Sequence, residues 1–191
     1  MVSSAKSTRT PAQSVVLMRR ISRIALYTAL GATVAGVERL IPTPLPWVRL
    51  GLANGVALIV LYSFGWREAM LVNILRAMVV GLIFGTWASP AIALSMSGAI
   101  VAVIVMTLVK QIGRSAISPI GVSVTGAFAH MVTQFALAAI LIIHSWAIFA
   151  LTGPSLIAAL ISGVLVGILA EAAIRRLPST LRNGTHAARK A

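Results

Sequence analysis

LVNILRAMVVGLIFG, residues 71–85, is apolar enough to cross a membrane, yet Arg76 sits near its middle. An arginine at the centre of a bilayer helix costs about 2.5–3.5 kcal/mol on insertion scales, so it marks a functional site by default once its partner can be named. Partners are scarce. The chain has no Asp, and its only Glu residues are Glu38, Glu68 and Glu171. If none of them lies at the depth of Arg76, the missing negative charge belongs to a ligand.

The rest of the sequence fits the same environment. Of 191 residues, 59% are hydrophobic and 10% charged, with a mean hydropathy of +0.98. An ordinary soluble domain carries about 25% charged residues. The class is therefore an all-α polytopic membrane protein with one domain. The net charge of +13 sits between apolar runs and in the two tails. That distribution points to anionic lipid and to control of topology, not to nucleic acid. With no Cys there is no thiol chemistry, and no His or Cys spacing suits a metal. No cofactor is expected. The first twenty residues are polar and basic, and the apolar run after them is too long for a signal-peptide core, so it reads as an uncleaved first span.

Six spans follow in order. Residues 1–20 form a basic tail, 21–175 the six-helix membrane domain and 176–191 a second basic tail. Span 1 covers Ile21–Ile41 and ends at the proline-rich PTPLPW of residues 42–47, through which no helix continues. Span 2, Arg49–Gly65, is short and weakened by Gly51 and Gly55. Span 3 runs over Arg67–Trp87, span 4 over Pro90–Val109, span 5 over Ile120–Ile143 and span 6 over Pro154–Ile174. Lys6, Arg9, Arg19, Arg20, Arg23, Arg67, Lys110, Arg114 and the basic residues of the C-terminal tail fall on one side, against only Arg39 and Arg49 on the other. This asymmetry places both termini in the cytoplasm. Trp47, Trp87 and Trp146 at outer ends and Trp66 at an inner end match an aromatic belt.

Depth follows from the helical rise. Arg76 lies about 13 Å from the cytoplasmic edge, His130 about 15 Å from the same edge and Asn54 about 7 Å from the outer one. Ser123, Gly126, His130 and Gln134 share one face of span 5, and Asn73 and Arg76 one face of span 3. Polar stripes in membrane helices face protein or water. These groups are expected to share one cavity in the outer half. Glu68 and Glu171 stay at the cytoplasmic edge. Glu38 falls one to two turns beyond Arg76 and reaches it only by a long extension.

The segment VRLGLANGVALIVLYSFGWREAMLVNILR (48–76), followed later by GVSVTGAFAHMVTQF (121–135), resembles the Gx transporter family. That family is also labelled heptaprenyl diphosphate synthase component I, and it is similar to the substrate-binding S components of energy-coupling factor transporters. The resemblance covers residues 21–175. It implies site roles for the LGLAN segment with Asn54, for Arg76, His130 and Gln134, and for Glu38. The family's usual Asn after the histidine is Met131 here. The S-component likeness further implies that Ala25 and Ala29, an Ala-x-x-x-Ala pair in span 1, meet a coupling subunit, since small residues four apart let helices approach closely. Ala32 and Gly36 continue a nearby face, and Gly163 and Gly167 give a second small-residue face in span 6.

The synthase label conflicts with the chemistry available. Prenyl diphosphate synthases hold Mg²⁺ through Asp-rich motifs, since hard cations need oxygen ligands. This chain has no Asp, no Ser/His/Asp set and no phosphate-binding Gly-x-x-x-x-Gly-Lys-[Ser/Thr] loop. It is read as no enzyme. The expected function is a substrate-binding membrane subunit for uptake of a small polar, anionic molecule held by Arg76, His130, Gln134, Asn54, Asn73 and Glu38, with a membrane coupling subunit and ATPase subunits as partners in a bacterial-type plasma membrane. Two alternatives stand beside it: a non-catalytic accessory subunit in prenyl diphosphate metabolism, and a stand-alone secondary transporter. A soluble prenyltransferase partner would mark the former, and ion-driven uptake by the single chain the latter.

Overall fold

A computed structural model describes residues 11–40, 51–114, 116–145 and 152–177. The described residues are helical throughout their elements: α1 (Pro11–Glu38), α2 (Asn54–Ser63), α3 (Trp66–Ile83), α4 (Pro90–Gly113), α5 (Pro119–Ala138), which continues as a π turn over Ala139–Ile143, and α6 (Thr152–Arg176). Pro90–Gly113, Pro119–Ile143 and Ser155–Arg176 are each long and apolar enough to cross a membrane, so the chain is a membrane protein. The PTPLPW loop, Trp47, Arg49, Trp146 and the tail beyond residue 177 lie outside the described residues.

Local chemistry sets the boundaries. Pro90 and Pro119 open α4 and α5 at first-turn positions, where a missing N–H costs nothing. Ser118 caps α5 by accepting the Gly121 N–H at 3.3 Å. Gly65 joins α2 to α3 with φ of 98°, a conformation that glycine adopts without steric cost. Helix α1 begins at Pro11, ten residues ahead of the expected start at Ile21.

Span 2 is the main departure from expectation. Instead of a helix over Arg49–Gly65, α2 has 10 residues, about 15 Å at the helical rise and half the thickness of a hydrocarbon core. Its start is set by Gly51, at φ of 75°, and by the turn in which the Asn54 N–H bonds Gly51 O at 2.9 Å. Being short, α2 sits at the centre and touches all five other helices. Helices α1, α3, α4, α5 and α6 form a row of neighbours around it, with α3 between α1 and α4. The main core is built on Ala57, Leu58, Val60 and Leu61 of α2, packed with Val72 of α3, Val103 and Met106 of α4, Val122 of α5 and Ala170 of α6.

The helix ends gather charge at one end of the molecule. Glu68 is paired with Arg20 at 3.2 Å and Arg23 at 3.8 Å, tying α1 to α3. Lys110 donates to Leu61 O at 2.9 Å and lies 4.2 Å from the centre of the Tyr62 ring. A cation on one of the last carbonyls of α2 complements that helix's dipole. The small face of Gly163 and Gly167 is used internally: Cβ positions there would lie 3.0 Å from Val124 Cα and 2.7 Å from Ile120 Cα, so α6 packs backbone to backbone on α5.

Candidate functional site

At the other half of the molecule, Glu38, Asn54, Asn73, Arg76, His130 and Gln134 are all buried. Four of the six converge. Glu38 from the end of α1, Asn54 from the start of α2, Arg76 from α3 and His130 from α5 line one nearly enclosed cavity with Gly51 and with Ser95 of α4. The cavity measures about 20 Å³, about the room of one water.

Arg76 is held from behind. Its Nε donates to Asn73 Oδ1 at 3.0 Å, and Asn73 Nδ2 donates to Ala99 O at 2.8 Å. Asn73, expected to contact substrate, therefore uses both ends of its amide to anchor the guanidinium to α4. Gln134 does not line the cavity either. It packs beside His130 against Gly98 of α4, where a Cβ would lie 2.9 Å from the His130 ring and 3.3 Å from Gln134 Cγ.

Glu38 is the carboxylate that reaches the cavity. A straight-helix count puts it one to two turns beyond Arg76. In the structure it lies on the same cavity, 5% exposed, and its carboxylate accepts the Gly51 N–H from the turn leading into α2. Its neighbour Arg39 faces elsewhere, with its guanidinium 4.2 Å from the centre of the Phe84 ring. A carboxylate of the chain therefore lies on the cavity that Arg76 also lines. Asn54 Nδ2 is buried without a hydrogen-bond partner among the described residues. A buried, unpaired amide costs free energy until something accepts its proton.

Sequence reading missed Ser95, Gly31 and Gly98. The signal was available for the glycines: each sits inside a long helix, where glycine is unfavourable by about 0.5–1 kcal/mol relative to Ala. A Cβ at Gly31 would lie 2.9 Å from Arg76 Cδ, so its absence lets the arginine cross from α3 toward α1. Gly31→Ala is expected to leave the chain folded, because the obstructed atom belongs to a flexible side chain. It is expected to weaken ligand binding roughly tenfold, ~1.4 kcal/mol, as Arg76 is displaced. Parallel melting and binding curves check this.

Ala25 and Ala29 are exposed on the outer face of α1, beside Leu26 and Leu30. Among the described residues no three His, Cys, Asp or Glu side chains are placed to hold a metal.

The family model described as heptaprenyl diphosphate synthase component I matches residues 27–173. The match takes in every residue of the cavity, and the chain belongs to that family. No curated protein and no solved structure gave a match.

Proposed function

We propose that this member of the heptaprenyl diphosphate synthase component I family is a substrate-binding integral membrane subunit, similar to the S component of an energy-coupling factor transporter. It takes up a small polar molecule that presents an anionic group to Arg76. The observation that supports this reading is the convergence of Arg76, His130, Asn54 and Glu38, from four helices, on one enclosed polar cavity. The short α2 adds to it. Its N-terminus ends at the cavity inside the bundle, and helix ends in that position suit anionic groups of a substrate.

In this reading the chain crosses the plasma membrane six times with both termini in the cytoplasm, α2 and its preceding turn forming the second crossing. Anionic lipid meets the basic ends. The chain catalyses no reaction and carries no cofactor; ATP is hydrolysed by partner subunits, joined through a coupling subunit that docks on Ala25 and Ala29. The test is affinity purification from the native membrane, with co-purifying ATPase and coupling subunits as the supporting result. Ala25→Leu and Ala29→Leu are expected to abolish that co-purification while leaving ligand binding unchanged, because a large side chain separates close-packed helices. An unchanged complex from both variants would refute the docking face.

A second reading is favoured by one feature. An apolar groove of about 230 Å³ opens between α1, α2 and α6, lined by Val34, Leu52, Val56 and Leu169 among others. Leu52 and Val56 are close neighbours in sequence of Gly51 and Asn54, which line the polar cavity. A lipid diphosphate would place its head at Arg76 and its chain in this groove, as an accessory subunit in prenyl diphosphate metabolism requires. Retention of a prenylated lipid together with a soluble prenyltransferase would favour it.

A further inference from the structure

The cavity presents two opposite charges to one small space. Arg76 and Glu38 both line it and are both more than nine-tenths buried. A simple anion entering there meets a buried carboxylate, and a simple cation meets a buried guanidinium. Like charges brought together away from water repel strongly, because the surroundings screen them little. The other groups on the wall are not one-sided either: the Asn54 amide offers an unused N–H, while Ser95 and His130 each both donate and accept.

The geometry points to a dipolar ligand, whose anionic or acceptor end meets Arg76 and the Asn54 amide while its ammonium or other donor end takes the Glu38 carboxylate from the Gly51 N–H. This rests on the substrate-binding reading and narrows its substrate class. The space has room for about one water, so a ligand enters only by displacing a contact on its wall. The Glu38 contact ties the end of α1 to the turn before α2 across 13 residues of chain. The bonds internal to that turn run from the Asn54 N–H to Gly51 O and from the Gly55 N–H to Leu52 O. Neither uses the Gly51 N–H. A donor that replaces that N–H on Glu38 releases the tie and leaves the turn's own hydrogen bonds in place.

Three probes with one carbon skeleton separate the alternatives: β-alanine, propanoate and propylammonium. Thermal unfolding of the full chain in detergent, followed against probe concentration, reports binding through stabilisation of the folded state. Wild type is expected to bind β-alanine about tenfold or more tighter than either singly charged probe, the difference made by one charge-assisted hydrogen bond. Glu38→Gln is expected to transfer the preference to propanoate, and Arg76→Gln to propylammonium. If Arg76→Gln fails to fold, the Glu38→Gln switch decides alone. Propanoate binding wild type as tightly as β-alanine, with Glu38→Gln unchanged, would overturn the dipolar assignment. The absence of any probe-dependent shift, with all three probes and in every variant, would overturn it as well. Neither result bears on uptake with ATPase partners, which co-purification tests separately.

Discussion

Arg76→Gln is expected to lower the stability of the ligand-free protein by up to about 3–5 kcal/mol, the range for taking one of two opposite buried charges away from the other. The cause is what remains. Glu38 stays buried on a cavity that no longer carries the guanidinium, and Asn73 Oδ1 loses the Nε–H that it accepts at 3.0 Å. Ligand affinity is expected to fall by tenfold or more in the same variant. Arg76→Lys keeps the charge and loses the planar fork that reaches Asn73 and the cavity together, so it is expected to retain part of both stability and affinity. Adding Glu38→Gln to Arg76→Gln removes the buried carboxylate and is expected to restore most of the stability, with a large coupling energy between the two sites. Thermal unfolding of the wild type, both single variants and the double variant measures that coupling. Additive losses would show that Arg76 and Glu38 act independently.

Gly167→Val is expected to destabilise the protein by ~1–3 kcal/mol or more, the overpacking range. At this position the obstructing atom is backbone: a Cβ would lie 2.7 Å from Ile120 Cα and 3.1 Å from Ser123 Cβ. A side chain can rotate away, but a helix backbone moves only as a unit, so α6 must separate from α5. Since α5 carries His130, a loss of ligand affinity is expected to accompany the loss of stability. Gly36→Ala is the matched control. Its Cβ would meet the Phe84 ring at 3.7 Å, an ordinary contact, and replacing glycine within a helix is favourable by about 0.5–1 kcal/mol. An equal melting temperature for wild type and Gly167→Val would show that α5 and α6 do not approach backbone to backbone at Gly167.

The class, an all-helical membrane protein, and the helix faces that carry the polar side chains were legible in the sequence alone. Hydropathy decides that the chain belongs in a membrane, because an apolar run of helix length has no better solvent. Periodicity decides which side chains share a face, since rise and turn are properties of the backbone. Both placed Arg76 beside Asn73, His130 beside Gln134, and Arg76, His130 and Asn54 at compatible depths. Which helix faces meet was not legible there and is seen only in the packed helices. A depth count assumes straight, full-length spans. It failed at α2, where the Gly51 turn delays the helix to Asn54, and it could not show that the same turn engages Glu38 through the Gly51 N–H. The division of labour was equally hidden: Asn73 and Gln134 lie on the predicted faces, yet one anchors Arg76 and the other packs beside His130 against Gly98. The rotation of one helix against the next is set by side-chain shape at close range, as with the missing Cβ atoms of Gly31 and Gly98. No pattern within a single helix encodes the surface it will meet.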